Sequence, residues 1–298
     1  MTGARPYARR AAAVLAAAAL AAAVLLIAFA AACARRGPDR FVATADGVRI
    51  AYHIEGKGRP ALVFVHGWSC DRTYWRNQIA AFAPTHAVVT VDLAGHGESG
   101  ADRTEWSIPA FGADVAAVVK REKLRRVVLV GHSMGGEVCL EAARLLPDRV
   151  LGIIGVDTFQ DLGAVMSPDE IAQYLAPFRA DFKAAAGFFV RAMFPWGTNP
   201  DLVESIVRDM SSAPPQVALA VFEALFAYVP ARALRDVRVP IRVINSDRIP
   251  TNVEGNRKLA ASFEIQIMAG RGHFPQLEDS AGFNRLLEQT IAELSARR

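Results

Sequence analysis

The chain has 298 residues, of which 52% are hydrophobic and 21% charged, so it is long enough for one large folded domain and too apolar for a disordered chain. The formal net charge is +4, and removing the contribution of Arg5, Arg9 and Arg10 leaves +1 for residues 33–298. A body so close to neutral gives no reason to expect nucleic acid as a partner.

An uncharged apolar run from Ala11 to Cys33 follows the basic N-terminal stretch, and Arg35 and Arg36 close it. This pattern is typical of a targeting or membrane segment rather than of part of a fold. We therefore expect residues 1–33 to form a leader, followed by a polar linker over 34–40.

Three forms of this leader stay open: a cleaved secretory signal, an uncleaved membrane anchor, and a lipoprotein signal whose Cys33 becomes the acylated first residue. At about 1.5 Å per residue the run could cross a hydrocarbon core of about 30 Å, so its length does not exclude an anchor. The stretch Ala30–Cys33 resembles a bacterial lipobox. Each form places the body outside the cytoplasm, either secreted or tethered to the cell envelope through its N-terminus.

The next elements alternate between strand and helix patterns. Two runs of alternating polarity around Asp46-Gly47 predict a β-hairpin. Short continuous apolar runs separated by helical stretches then follow: ALVFV, AVVTVD, VVLVGH, VLGIIGVD, IRVINSD and EIQIM. Such runs predict a mostly parallel sheet with helices on both faces, an α/β fold.

About 80 residues separate Asp157 from the strand that begins near Ile241, which is too long for one crossover connection. The gap is rich in helix formers and aromatic residues and is broken by prolines, so we predict a helical cap over residues 158–230, inserted into a core of residues 41–157 and 231–298. Its aromatic residues are candidates for core packing or for contact with a substrate: Phe178, Phe182, Phe188, Phe189, Trp196, Phe222, Phe226 and Tyr228.

The segment Gly131-His132-Ser133-Met134-Gly135 fits the pattern G-x-S-x-G, directly after an aliphatic strand and before a helical pattern. In that setting the serine occupies a sharp strand-to-helix turn that exposes its hydroxyl at the edge of the sheet. Ser133 is therefore the candidate nucleophile.

A serine hydroxyl needs a general base, which on this architecture follows the serine and the acid in chain order. Five of the six histidines precede Ser133, which leaves His273, after the last predicted strand. Two carboxylates end strands between them: Asp157 ends VLGIIGVD and Asp247 ends IRVINSD. We favour Asp247 as the acid that orients His273, because the loop after the later strand is expected to face the histidine loop; Asp157 would then cap a helix or bond within a loop.

An acyl-transfer site also needs two N–H donors for the developing oxyanion. Met134 follows the nucleophile, and the run LVFVHGW places Trp68 after an early strand, so their amides are the candidates. His66 is expected to brace that loop through hydrogen bonds rather than to titrate.

With Ser133, Asp247, His273, the HGW loop and the run DLAGHGES, residues 41–298 resemble the α/β-hydrolase superfamily, in the branch with a helical cap. The resemblance implies an eight-stranded, mostly parallel sheet with the cap after strand 6, and hydrolytic or related chemistry without a cofactor. The sequence also has no cluster of residues with metal-ligand spacing, so no metal is expected. The run NSD is shorter than the Gly-x-x-Asp that usually precedes the acid in this family.

A serine at the elbow argues against haloalkane dehalogenases and epoxide hydrolases, which use aspartate there. We therefore expect a serine hydrolase that cleaves a small to medium, mainly apolar ester or related acyl compound through an acyl-enzyme. A carbon–carbon bond hydrolase, a cofactor-free haloperoxidase or perhydrolase relative, and a non-catalytic ligand-binding lipoprotein remain as alternatives.

Overall fold

The computed structural model describes residues 40–296, and in this range one eight-stranded sheet runs through the fold. The strands are β1 (Arg40–Ala43), β2 (Arg49–Glu55), β3 (Ala61–Val65), β4 (Val88–Val91), β5 (Val127–His132), β6 (Val150–Val156), β7 (Ile241–Ser246) and β8 (Phe263–Met268). Their spatial order is β1-β2-β4-β3-β5-β6-β7-β8. The pairs β1–β2 and β2–β4 are antiparallel and all other neighbours are parallel, as the sequence predicts.

Helices cover both faces of this sheet. They are α1 (Arg76–Phe82), α2 (Ile108–Arg121), α3 (Met134–Leu145), α4 (Pro168–Ala180), α5 (Phe182–Ala192), α6 (Pro200–Met210), α7 (Pro215–Ala227), α8 (Pro230–Ala233), α9 (Val253–Leu259), α10 (Pro275–Glu278) and α11 (Ser280–Ala296). A short 3₁₀ helix, Arg72–Trp75, precedes α1.

The central strand β5 shows why the apolar runs are continuous. All of its residues are buried, and alternate side chains enter two different cores. Val127 and Leu129 pack in the core that also holds Phe111 of α2, whereas Val128 and Val130 pack in the core that holds side chains of α1 and α11. A strand with helices on both faces must be apolar on both faces, and this explains the absence of polar alternation.

Helices α4 to α8 lie between β6 and β7 in the chain, where the sequence predicts the inserted cap. Several begin with a proline in the first turn, where the missing N–H costs no hydrogen bond: Pro168, Pro200, Pro215 and Pro230. The side chain of Ser167 and that of Glu170 cap the start of α4 reciprocally. We use the name cap segment for residues 158–230.

The predicted leader and linker, including Cys33, lie outside the described residues. Between residues 40 and 296, no helix is both long and apolar enough to span a membrane. The two cysteines in this range, Cys70 and Cys139, are buried and free.

Candidate active site

Ser133 stands between the end of β5 and the start of α3, at the elbow that the motif predicts. Its backbone has φ 51° and ψ −125°, in a region that residues other than glycine seldom adopt. The Ser133 amide donates to the carbonyl of Val156 at 3.0 Å, and the Ser133 carbonyl accepts from the Gly136 amide at 2.8 Å. Backbone bonds to the neighbouring strand and to the helix thus hold the strained turn in place.

The two flanking glycines are required by close backbone contacts. A Cβ atom at Gly131 would lie 2.2 Å from the carbonyl oxygen of Gly135, and one at Gly135 would lie 2.4 Å from the carbonyl oxygen of Val65. Either contact would push the helix away from the sheet and displace Ser133. The motif is therefore a packing requirement of this turn as well as a sequence signature.

Asp157, the residue directly after β6, binds His273. Its Oδ2 lies 2.6 Å from Nδ1 of His273, and its Oδ1 accepts from the Ser246 amide at 2.7 Å. Burial raises the pKa of Asp157, but its bonds to His273 and Ser246 outweigh that effect and hold the pKa below its usual value. An ionised Asp157 holds the Nδ1–H tautomer of His273 and leaves Nε2 free to accept a proton.

The predicted contact between Asp247 and His273 is wrong. Ser246 is the last buried residue of β7, and the next side chain, Asp247, is exposed. Its Oδ1 accepts from the Gly270 amide at 2.9 Å, so the carboxylate braces the turn after β8. The acid that reaches the histidine comes from β6, the strand beside β5, and crosses the end of β7 to do so. Asp157 therefore contacts the histidine, and the expectation that it would only cap a helix or bond within a loop is wrong.

Backbone and side-chain bonds fix the loop that carries His273, between β8 and α10. The His273 amide donates to the carbonyl of Met193 at 3.1 Å. His132 donates from Nε2 to the carbonyl of His273 at 2.7 Å. Burial lowers the pKa of His132 to about 3, so this ring is neutral at neutral pH. Sequence reasoning missed this role, although His132 is the variable residue between the first glycine and the serine of the motif.

The HGW loop approaches the elbow from β3. His66 donates from Nδ1 to the Gly67 carbonyl at 2.8 Å and accepts from the Leu93 amide at 3.0 Å. Burial lowers its pKa to about 4, and the predicted bracing role of this neutral ring is confirmed. A Cβ at Gly67 would lie 3.2 Å from Cβ of Ser133, so the loop backbone runs directly beside Ser133.

The two expected oxyanion donors are the amides of Met134, which directly follows Ser133, and of Trp68, in the HGW loop. Met134 is the first residue of α3, so its N–H has no partner inside the helix. Trp68 follows Gly67 and lines the same cavity as Ser133. The assignment of these two amides as oxyanion donors stays a prediction.

Two cavities meet at Ser133. The first, of about 370 Å³, is lined by aromatic rings of the cap segment, by Trp68 and by several aliphatic and methionine side chains; we call it the aromatic cavity. The second, of about 360 Å³, lies between the start of α3, the chain after β6 and the end of the cap segment; we call it the α3-side cavity. Ser133, Asp157 and His273 line both. Among the described residues, Ser133 and His273 form no hydrogen bond with each other. Such catalytic hydrogen bonds are often long in the absence of substrate and tighten when substrate binds.

The candidate aromatic residues of the cap segment differ in their positions. Phe189, Phe222 and Phe226 line the aromatic cavity, and Phe226 and Tyr228 line the α3-side cavity. Phe178 and Phe182 are buried, whereas Phe188 and Trp196 are exposed. The indole of Trp68 stacks on Phe222 at 4.0 Å between centroids and donates to the Ala218 carbonyl at 2.7 Å. Trp68 therefore links the HGW loop to the cap segment.

Within the part of the chain that the structure describes, no group of three or more His, Cys, Asp or Glu side chains is placed to hold a metal ion. Sequence reasoning also missed Glu137, which lies one helical turn after Ser133 and faces the α3-side cavity. Its position could have been read from the spacing of four residues on a helix.

The chain is similar in sequence or in fold to several known proteins. An uncharacterised protein of Mycobacterium tuberculosis is 27% identical over 272 residues, covering 83% of this chain and 79% of the relative. A solved structure of Est816, described as an N-acyl homoserine lactone degrading enzyme, is 28% identical with a TM-score of 0.73, covering 85% of this chain and 99% of that one. A thermophilic esterase from Thermogutta terrifontis shares the fold, at 23% identity and a TM-score of 0.75, covering 87% and 99%.

The model of the alpha/beta hydrolase family matches residues 62–286, which include the elbow serine, the acid after β6 and the histidine after β8. This match spans most of the chain and agrees with the sheet order and with the helices on both faces. The chain therefore belongs to the alpha/beta hydrolase family.

Proposed function

We propose that this protein is a serine hydrolase that cleaves a small to medium, mainly apolar ester through an acyl-enzyme. The observation that carries the proposal is the arrangement of Ser133 on a strained elbow beside a His273–Asp157 pair, at the junction of two cavities. The exposed turn at Ser133, the Nδ1–H tautomer of His273 and the buried carboxylate of Asp157 suit nucleophilic attack by a serine.

In this mechanism Ser133 Oγ attacks the substrate carbonyl while Nε2 of His273 takes the hydroxyl proton. Asp157 stabilises the imidazolium that forms, and the amides of Met134 and Trp68 stabilise the oxyanion. The tetrahedral intermediate collapses, His273 gives the proton to the leaving alkoxide, and the acyl group stays on Ser133. Water then attacks the acyl-enzyme with His273 again as base, which releases the carboxylic acid and restores Ser133.

The substrate class follows from the walls of the site. The aromatic cavity offers ring faces and few polar groups, which suits an apolar acyl or alkyl chain, and its volume is at the small end of ligand sites. The description of Est816 as a lactone degrading enzyme supports including cyclic esters among the candidates. We also propose that the protein acts outside the cytoplasm, on the basis of the apolar run from Ala11 to Cys33.

A panel of p-nitrophenyl esters of increasing acyl length tests the function. We expect hydrolysis with a maximum at short to medium chains, and a loss in turnover on the order of 10³-fold or more in Ser133→Ala. Absence of hydrolysis of every ester by folded protein would favour a non-catalytic ligand-binding role for the same cavities.

A further inference from the structure

Apolar side chains form most of the lining of both cavities, but the α3-side cavity has additional polar side chains that the aromatic cavity lacks. The start of α3 forms one wall, and the chain from Thr158 to Met166 forms another. Glu137, Gln160 and the Tyr228 side chain bring hydrogen-bonding groups to this space. Because the two cavities share Ser133, an ester bound there would place its two substituents in different surroundings.

Glu137 lies four residues after Ser133, so it projects from the same face of α3 as the nucleophile. It is partly buried, and its two carboxyl oxygens lie 3.5 Å from the hydroxyl of Thr158, which is too long for a strong bond. No Lys or Arg between residues 40 and 296 forms an ion pair with Glu137. Arg144 and Tyr228 both bind Glu141, one turn further along α3, at 2.8 Å each.

A purely structural role explains this arrangement poorly. An ionised carboxylate in the first turn of a helix is stabilised by the helix dipole and in turn stabilises the helix. Here burial raises the pKa of Glu137 to about 8, and hydrogen bonds from its own backbone N–H and from the Thr158 hydroxyl offset this only in part, so the group is mainly a neutral acid at pH 7. A neutral carboxylic acid both donates and accepts a hydrogen bond, and the cavity is the open space in front of it.

We propose that Glu137 is a specificity-determining residue, which hydrogen-bonds an uncharged polar group, a hydroxyl or an amide, on the part of the substrate that enters the α3-side cavity. The remaining, apolar part of the substrate would occupy the aromatic cavity. This inference rests on the proposed function, because it assigns recognition groups to the same site.

Matched esters test it, with a methyl group replaced by a hydroxyl on either side of the ester bond. On the acyl side the pair is ethyl 3-methylbutanoate and ethyl 3-hydroxybutanoate; on the alcohol side it is propyl butanoate and 2-hydroxyethyl butanoate. Acid release in a pH-stat gives kcat/KM for each. We expect wild type to prefer the hydroxyl ester of at least one pair, and the preference to fall about tenfold in Glu137→Leu, as expected for one lost hydrogen bond.

Glu137→Gln should keep the preference within about threefold, because an amide also donates and accepts. Glu288→Leu, the same change as in Glu137→Leu at an exposed position of α11, should leave it unaltered. Circular dichroism checks the fold of each variant, and Glu137→Ala replaces the leucine variant if that one does not fold. The inference is overturned if the ratio of kcat/KM for the hydroxyl ester to kcat/KM for the alkyl ester does not change in the leucine or alanine variant. It is also overturned if wild type prefers neither ester of either pair.

Failure of the proposed function looks different from failure of this inference. If wild type hydrolyses none of the four esters and no serine reacts with a fluorophosphonate probe, the hydrolase assignment fails and the inference fails with it. If all four esters are hydrolysed in a Ser133-dependent manner with equal selectivity in every variant, only the role of Glu137 is wrong.

Discussion

Replacing Asp157 by asparagine should abolish most turnover, because both carboxyl oxygens of Asp157 accept hydrogen bonds. Oδ1 accepts from the Ser246 amide at 2.7 Å and Oδ2 from His273 at 2.6 Å. Asparagine has one carbonyl oxygen and one NH₂ group, so it can accept only one of these two hydrogen bonds. If its NH₂ group faces the Ser246 amide, two donors oppose each other; if it faces His273, the imidazole must accept at Nδ1 and carry its proton on Nε2. In that tautomer Nε2 carries the proton and cannot accept one from Ser133.

The expected loss follows from the burial of this pair. Asp157 is only 4% exposed, so water cannot replace the missing interaction. Loss of the acid in a serine protease lowers turnover by about 10⁴-fold, which at 1.36 kcal/mol per factor of ten corresponds to about 5.4 kcal/mol of transition-state stabilisation. Asp247→Asn is the matched control: its side chain is exposed and an asparagine oxygen can still accept from Gly270, so we expect less than a threefold change.

Turnover of both variants on one activated ester, with circular dichroism of each, makes the comparison. The reasoning is refuted if Asp157→Asn keeps more than a tenth of wild-type turnover, or if Asp247→Asn is the inactive variant. A loss that appears only in KM would also contradict it, because the acid acts on the transition state and touches no part of the substrate.

Three further predictions concern the cavities and the N-terminus. Phe189 lines the aromatic cavity, so Phe189→Ala should shift the preference on a panel of p-nitrophenyl esters towards longer acyl chains. The neighbouring Phe188 is 77% exposed, so Phe188→Ala should leave that preference unchanged. In the folded wild type Glu137 keeps its proton up to a pKa of about 8, whereas in the unfolded chain it loses the proton near pH 4.5, so the wild type loses stability as the pH rises between these values. Glutamine does not titrate, so the free energy of unfolding of Glu137→Gln relative to wild type should increase by on the order of 1–3 kcal/mol from pH 5 to pH 8.5, as measured by urea unfolding. The same difference in stability at both pH values would contradict this. If Cys33 is acylated, the protein should fractionate with membranes and Cys33→Ala should not, and a mature N-terminus at residue 34 or later in mass spectra would exclude acylation.

The sheet and the strand-to-helix turn at Ser133 were predictable because their signals are local. Continuous aliphatic runs such as that of β5 arise wherever both faces of a strand are covered, and the glycines around Ser133 are required by contacts within the turn itself. His273 was predictable because it is the last histidine of the chain and follows the last strand.

The choice of acid depended on a contact between distant segments, which chain order does not determine. Asp157 and Asp247 both follow strands, but only Asp157 is buried beside His273. Ser246, the last residue of β7, is buried, and the next residue, Asp247, is exposed to solvent. The short NSD run was the available sign that the later strand ends too early to carry the acid. The polarity of the α3-side cavity was likewise unpredictable, since it depends on how the chain after β6 folds against α3.

The most direct test of the proposed mechanism is reaction with a fluorophosphonate probe, followed by mapping of the labelled peptide. Only a serine activated by a positioned base reacts readily with such a probe. We predict stoichiometric labelling of Ser133 in wild type and no labelling in Ser133→Ala or of any other serine. Label on a different serine, or none on folded wild-type protein, would contradict the assignment of Ser133 as the nucleophile.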